Sequence, residues 1–284
     1  MAIRFVTDST AYLPQEFLNA NDIAVVPLKV LFGDRVYRDG IDLSNEQFYR
    51  MLSESQRLPT TSQPAMGEFE RVYAELLDRG HEIISVHISG KLSGTVESAR
   101  SAAEQFPGAP IHIVDSLSTA FGLAMMLDEM AKSASAGFDT AAIMRRLDQM
   151  IRDTEMYFVV DTLEYLEKGG RIGAARALLG TLLKIKPVLM VEDGRIVPLS
   201  SVRSKRKAIA FMLDLAARSA EGHEHVRIAV AHGQVPDEMA ELLETTHKRF
   251  GPCDVFTSEV GPVIGTHTGP GVLGMAVCPL QDGL

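Results

Sequence analysis

The chain has 284 residues, 46% of them hydrophobic and 23% charged, a length for one large domain or two and a composition far from disordered, collagen-like or disulfide-scaffold chains. Its 28 basic and 37 acidic residues leave a net charge of −9, which argues against nucleic acid or an anionic membrane as a global partner. Only two cysteines, Cys253 and Cys278, occur, and the start MAIRFVTDST shows no charged segment followed by a long apolar one. A reduced, cytoplasmic protein without a membrane span is expected.

In chain order, the β-branched run 3–7 predicts a strand that empties into Thr7-Asp8-Ser9-Thr10. The runs 23–32 and 36–37 flank Gly33-Asp34 and predict a hairpin excursion near 23–39. A helix is predicted over 64–79, a strand over 82–88, a helix over 96–105, a strand over 111–115, and helices over 119–136 and 140–153. Strand 156–161 then opens a second half, in which 186–192 and 195–199 form a hairpin around Glu192-Asp193-Gly194. Helix 205–220, strand 226–231, helix 236–250 and strand 254–258 follow.

This alternation specifies an α/β fold. The N-terminal half reads as a mainly parallel sheet flanked by helices, and the C-terminal half as a mixed sheet with helices. The change in strand pattern divides the chain into an N-terminal α/β domain, 1–153, and a C-terminal one, 154–284.

Several polar loops sit where open α/β sheets place ligands. Pro59-Thr60-Thr61-Ser62-Gln63-Pro64 puts three hydroxyls before a predicted helix, more than a helix cap at Thr61 or Ser62 requires. Such a volume suits a carboxylate or phosphate. Ser89-Gly90-Lys91-Leu92-Ser93-Gly94-Thr95 has the composition of an anion nest, or of a plain turn capped by Ser93, and matches neither G-x-x-x-x-G-K-[ST] nor G-x-G-x-x-G. Gly265-Thr266-His267-Thr268-Gly269-Pro270-Gly271 holds His267, the foremost candidate among 8 histidines, in a glycine-rich loop. Arg171, after Gly169-Gly170, can project into a cleft, while the run from Arg203 to Lys207 has the pattern of a solvated face.

Other matches lead nowhere. Ser204-x-x-Lys207 lacks the companion motifs of a β-lactamase, and no Cys or His cluster has metal-ligand spacing, so neither metal nor cofactor is expected.

Taken together, Thr7-Asp8-Ser9-Thr10, Thr60-Thr61-Ser62-Gln63-Pro64, Leu92-Ser93-Gly94-Thr95, Val114-Asp115-Ser116, Lys168-Gly169-Gly170-Arg171-Ile172, Lys186-Pro187, Arg203 with Lys207-Ala208, and the segment from Gly265 to Gly271 resemble the DegV family of fatty-acid-binding proteins. The likeness spans nearly the whole chain. It departs at Tyr12, where an acidic residue is frequent, at Ala65 in place of a serine, and at Ala124 in place of a second helix glycine.

The resemblance implies two α/β domains with a long-chain fatty acid between them. Thr61, Ser62 and Ser93 would hold the carboxyl group with His267 close by, and Gly94, Thr95 and Thr268 would complete the ligand-binding set. A separate ATP-dependent fatty acid kinase would phosphorylate the bound acid for phospholipid synthesis, with Arg171, Arg203 and His267 facing the phosphoryl group. Membrane contact would be transient, and the carrier would not itself be an enzyme. The competing reading is an acyl-transfer or hydrolytic enzyme with Ser93 as nucleophile and His267 as base. It requires a hydrogen bond between those two and a group orienting the imidazole.

Overall fold

The structure, a computed structural model, describes residues 2–179, 185–251 and 253–280. The N-terminal half runs β1 (Ile3–Asp8), α1 (Gln15–Ala20), β2 (Ala24–Val26), β3 (Lys29–Phe32), β4 (Arg35–Arg38), α2 (Asn45–Glu54), β5 (Thr60–Ser62), α3 (Met66–Asp78), β6 (Glu82–His87), α4 (Thr95–Ala103), β7 (Ile111–Asp115), α5 (Ala120–Ser135) and α6 (Thr140–Asp153). The C-terminal half continues with β8 (Glu155–Val159), α7 (Glu164–Lys168), β9 (Lys186–Glu192), β10 (Arg195–Val202), α8 (Lys205–Ser219), β11 (His225–His232), α9 (Pro236–Phe250), β12 (Val255–Glu259), α10 (Pro262–Thr268) and β13 (Leu273–Leu280).

Three sheets result. The first, β2-β1-β6-β7, is parallel throughout. A small antiparallel sheet, β4-β3-β5, stands beside it. The C-terminal sheet, β10-β9-β8-β13-β11-β12, is mixed, with β11 and β12 its parallel pair. The fold is therefore the α/β arrangement expected, with a parallel N-terminal and a mixed C-terminal sheet.

Local chemistry accounts for the elements. At the start of α2, Ser44 Oγ accepts from Gln47 N at 3.2 Å while Gln47 Oε1 accepts from Ser44 N, a reciprocal cap. The β9–β10 turn has Asp193 at φ +47° and Gly194 at φ +75°, the left-handed pair that matches the twist of a two-residue hairpin. Helix α5 is buried on nearly all sides, 12 of its 16 residues being inaccessible, because it lies between the sheets and touches β6, β11 and β13. One core cluster consequently runs through both halves, joining Phe5 and Ile84 to Phe158 and Leu189.

Three expectations need correction, and one strand was not anticipated. The run 23–32 is two strands in different sheets, because Pro27 has no N–H for a ladder and Leu28 donates its own to Ser9 Oγ at 3.1 Å. The hydroxyl-rich segment at Thr60–Ser62 is a strand, paired through Thr61 to Val30, and α3 starts beyond Pro64, where Glu68 Oε2 accepts from Ala65 N at 2.8 Å. Neither Thr61 nor Ser62 caps it. The segment holding His267 is helical up to Thr268, with Gly269 at φ +71° closing α10. The unassigned stretch Leu273–Leu280 is a central strand, buried on both faces and so without alternation to betray it.

Candidate functional site

A cavity of about 300 Å³ opens between the halves, its wall drawn from β5, the 88–94 loop, the start of α5, β8–β10 and α10. Phe121, Met156, Phe158, Leu166, Val191 and Ile196 make most of one side apolar. Its polar lining comprises Thr61, Ser62, Gln63, Ser93, Thr119, Arg171, His267 and Thr268. Arg171 is the single cationic side chain and no carboxylate lines the cavity among the described residues. The volume lies at the lower edge of small-molecule sites, and the apolar wall with few polar groups is typical of them.

The polar residues are held by contacts across the two halves. Strand pairing with β3 turns Thr61 inward, where its Oγ1 lies 2.8 Å from His267 Nε2. The imidazole backs onto Gly169, where any Cβ would strike Nδ1. That is why the segment before Arg171 needs glycine. Nδ1 is buried without a hydrogen-bond partner, and an unpaired lone pair is less costly there than an unpaired N–H. His267 thus donates from Nε2 to Thr61, leaving the Thr61 hydroxyl hydrogen free to donate elsewhere. Burial, and then the Arg171 charge, push the His267 pKa down to about 4, so the ring is neutral near pH 7.

The 88–94 loop is fastened at several points. Ile88 N donates to Asp8 Oδ2 at 2.9 Å, and Ser89 Oγ donates to Gly194 O of the second hairpin at 2.9 Å. Ser93 Oγ shares a 2.8 Å hydrogen bond with Thr95 Oγ1. A side chain at Gly94 would displace the Gln63 amide, which packs against it and whose Nε2 donates to Ser98 Oγ at 2.9 Å. Arg171 spans the gap, Nε donating to Leu92 O at 3.2 Å and Nη1 to Gly169 O at 2.7 Å.

Of the residues expected at the site, Thr61, Ser62, Ser93, Gly94, Arg171, His267 and Thr268 all line this one cavity. Ser62 is exposed at its rim, and the Thr268 hydroxyl is already donated to Ile264 O. Thr95 and Arg203 do not line it. Thr95 opens α4 fully buried, and Arg203 is exposed just past β10.

Sequence reasoning missed Thr119. It precedes α5 with an extended backbone but makes no side-chain cap, and its buried Oγ1 lacks a partner while lining the cavity. A threonine before an apolar helix looks like an ordinary cap; only the unused hydroxyl distinguishes it.

The hydrolase reading finds neither of its two requirements. His267 Nε2 is engaged by Thr61, Ser93 by Thr95, and no group orients Nδ1. No helix among the described residues is long and apolar enough to cross a membrane, and no cluster of potential metal ligands occurs among them.

Comparison with known proteins places these features in company. The family model described as an uncharacterised protein of the DegV family matches residues 2–280. A DegV domain-containing protein of Halalkalibacterium halodurans is 40% identical over 275 residues, which is 96% of this chain and 97% of the relative. Among solved structures, a DegV family protein of Thermus thermophilus described by its fatty acid binding superposes with a TM-score of 0.94 at 38% identity, covering 99% of this chain and 100% of its own. A stearic-acid-binding protein of Eubacterium ventriosum gives 0.90 at 27% identity, covering 98% of each.

Proposed function

The chain belongs to the DegV family, and from that membership we propose that it binds a long-chain fatty acid in this cavity and presents the carboxyl group to an ATP-dependent kinase. The observation that carries the proposal is the division of the lining among the described residues: hydrocarbon over most of the wall, with hydroxyls, a neutral imidazole and one guanidinium gathered among it and no carboxylate to repel an acid. Two α/β domains, 1–153 and 154–284, closing on the ligand complete the reading.

Energetics divide the work in the same way. Burying methylenes at about 0.8 kcal/mol each contributes on the order of 10 kcal/mol for a 16-carbon chain before ordering costs, so the tail supplies affinity. A buried carboxylate left unpaired costs several kcal/mol, so Thr61, Ser93 and Thr119 decide which end goes where. Hydroxyl donors hold the carboxylate without a tight ion pair, and one of its oxygens keeps a lone pair to attack the terminal phosphorus of ATP, forming the acyl phosphate as the bond to the bridging oxygen breaks and ADP leaves. Native mass spectrometry of the protein purified from cells, followed by solvent extraction, tests the binding. A mass excess equal to a long-chain acid recovered in the extract is expected, and a persistently ligand-free protein that also fails to take up stearate would overturn it.

Arg171 fits the transfer step, since a planar guanidinium matches charge spreading over equatorial phosphoryl oxygens. Arg203, exposed beyond β10, would meet the same group from the kinase side. Arg171→Ala is expected to lower acyl phosphate formation, trapped as the hydroxamate, at least tenfold while the Kd for stearate stays within about threefold. Equal losses in both assays would remove Arg171 from the transfer step.

A further inference from the structure

Helix α10 belongs to the C-terminal half and carries His267, yet side chains of the N-terminal half hold its start. Pro262 has no N–H, and Gly265 N already donates to Gly261 O at 2.8 Å, so the first turn leaves the amides of Val263 and Ile264 to be met. Gly261 offers no side-chain cap. Ile264 N donates instead to Tyr12 Oη at 2.9 Å, across 252 positions of sequence, and Val263 N donates to the carboxylate of Asp39. Just before the helix, Tyr49 Oη donates to Val260 O at 2.9 Å.

Tyr12 makes this contact from a strained backbone. Its φ of +46° is in the left-handed region, which a bulky residue enters only at a cost, and such strain clusters at functional sites. Tyr12 N donates to Ser9 O at 3.2 Å, closing the turn at 9–11. The ring packs on Gly261, where a Cβ would meet three of its carbons. One phenol thus sets both the approach of the chain to α10 and the capping of its first turn.

His267 depends on that hold. A site histidine is ordinarily oriented by a hydrogen bond at its second ring nitrogen, but His267 Nδ1 has no hydrogen-bond partner among the described residues. The bond to Thr61 and the position of α10 itself therefore place the ring. We propose, resting on the fatty acid reading of the cavity, that Tyr12 is a positioning residue of that site, capping α10 from the opposite half so that His267 stays on the Thr61 hydroxyl. Without the phenol oxygen, the Ile264 amide is left unpaired at the first turn and can be satisfied only by water or by a shift of the helix. Val263, Ile264 and Thr268, on the same helix, line the cavity as well, so a shift of α10 alters its wall together with its head-group end.

Tyr12→Phe keeps the ring on Gly261 and removes only the acceptor for Ile264. The readouts are the pH titration of the His267 imidazole, by NMR of the ligand-free full chain with isotope-labelled histidine, and the Kd for stearate. Burial, and then the Arg171 charge, hold the wild-type imidazole at about 4. A loosened α10 admits water, so the titration is expected to rise to about 5 or above, with stearate bound at least fivefold more weakly. Tyr157→Phe, whose lost hydroxyl donates to Glu155 rather than to α10, is expected to leave His267 unmoved even where it lowers the melting temperature. An unmoved His267 titration in folded Tyr12→Phe, or an equal shift in Tyr157→Phe, would overturn the proposal. Amide hydrogen exchange of the wild-type chain decides the matter if Tyr12→Phe does not fold. The Ile264 and His267 amides are expected to open as one unit, at rates within about threefold after correction for intrinsic exchange, and independent opening would overturn it. Because His267 is read without ligand, stearate uptake by the wild type separates this result from failure of the fatty acid reading.

Discussion

Replacing Val191 with tryptophan is expected to weaken stearate binding by about two orders of magnitude while leaving the protein folded. Val191 lies on β9, pairs with Met156 of β8 and lines the apolar side of the cavity beside Ile196. An indole there fills space that a ligand chain would take. Excluding about four methylenes forfeits roughly 3 kcal/mol of burial, which corresponds to a factor of about 200 in Kd. Removing a single hydroxyl with Thr61→Ala deletes one hydrogen bond to a charged group, about 1.5–3 kcal/mol, and is expected to cost less. The check is fluorescence or calorimetric titration of stearate against both variants. An affinity within threefold of wild type for Val191→Trp, in a protein with an unchanged melting curve, would mean that the chain does not lie in this cavity.

Arg227→Met is expected to lower stability by about 3–5 kcal/mol, the cost of leaving buried charge uncompensated, and the melting temperature by on the order of 10 °C. Arg227, on β11, has a side chain only 12% exposed and touches three carboxylates: Asp128 through a short contact, Asp254 at 3.3 Å and Glu129 at 3.6 Å. Asp128 and Glu129 belong to α5 and are 10% and 12% exposed. The guanidinium therefore ties the helix between the sheets to the C-terminal one. Methionine keeps the aliphatic stem and removes the charge. Lys132 still reaches Asp128 at 3.1 Å, and Arg146 still approaches Glu129 at 3.8 Å, which keeps the loss near the lower end of that range. A melting temperature within about 2 °C of wild type, by circular dichroism, would show the cluster to be solvated and energetically idle.

The sequence was informative wherever the physical signal is local. The Asp193-Gly194 hairpin, the parallel strands of the first sheet and the helix over 140–153 were readable because turn chemistry, β-branched runs and amphipathic spacing act within a few residues. Excess polar groups also left a trace. Three hydroxyls at 60–62 exceed what a cap needs, and the glycines at 94 and 169 mark places where another chain segment presses close, although neither neighbour could be named in advance. The likeness to a known family carried the rest of the site, assembling residues separated by as many as 206 positions, as Thr61 and His267 are.

Strand β13 was missed because a central strand covered on both faces shows no alternation, and β5 because its threonines look like loop residues until β3 is placed beside them. Thr119 resembles a cap until its hydroxyl is found without a partner, and Thr95 a ligand until its hydroxyl is found bonded to Ser93.

Composition and short-range pattern alone determined that this chain builds parallel and mixed sheets interleaved with helices, and that it carries clusters of hydroxyls and glycines beyond what caps and turns require. Only the tertiary structure decided that these clusters share one apolar cavity and that His267 meets Thr61 and is held neutral there. Those properties are desolvation and distance between remote segments. Both are created when α5 closes between the sheets, and neither exists along the unfolded chain.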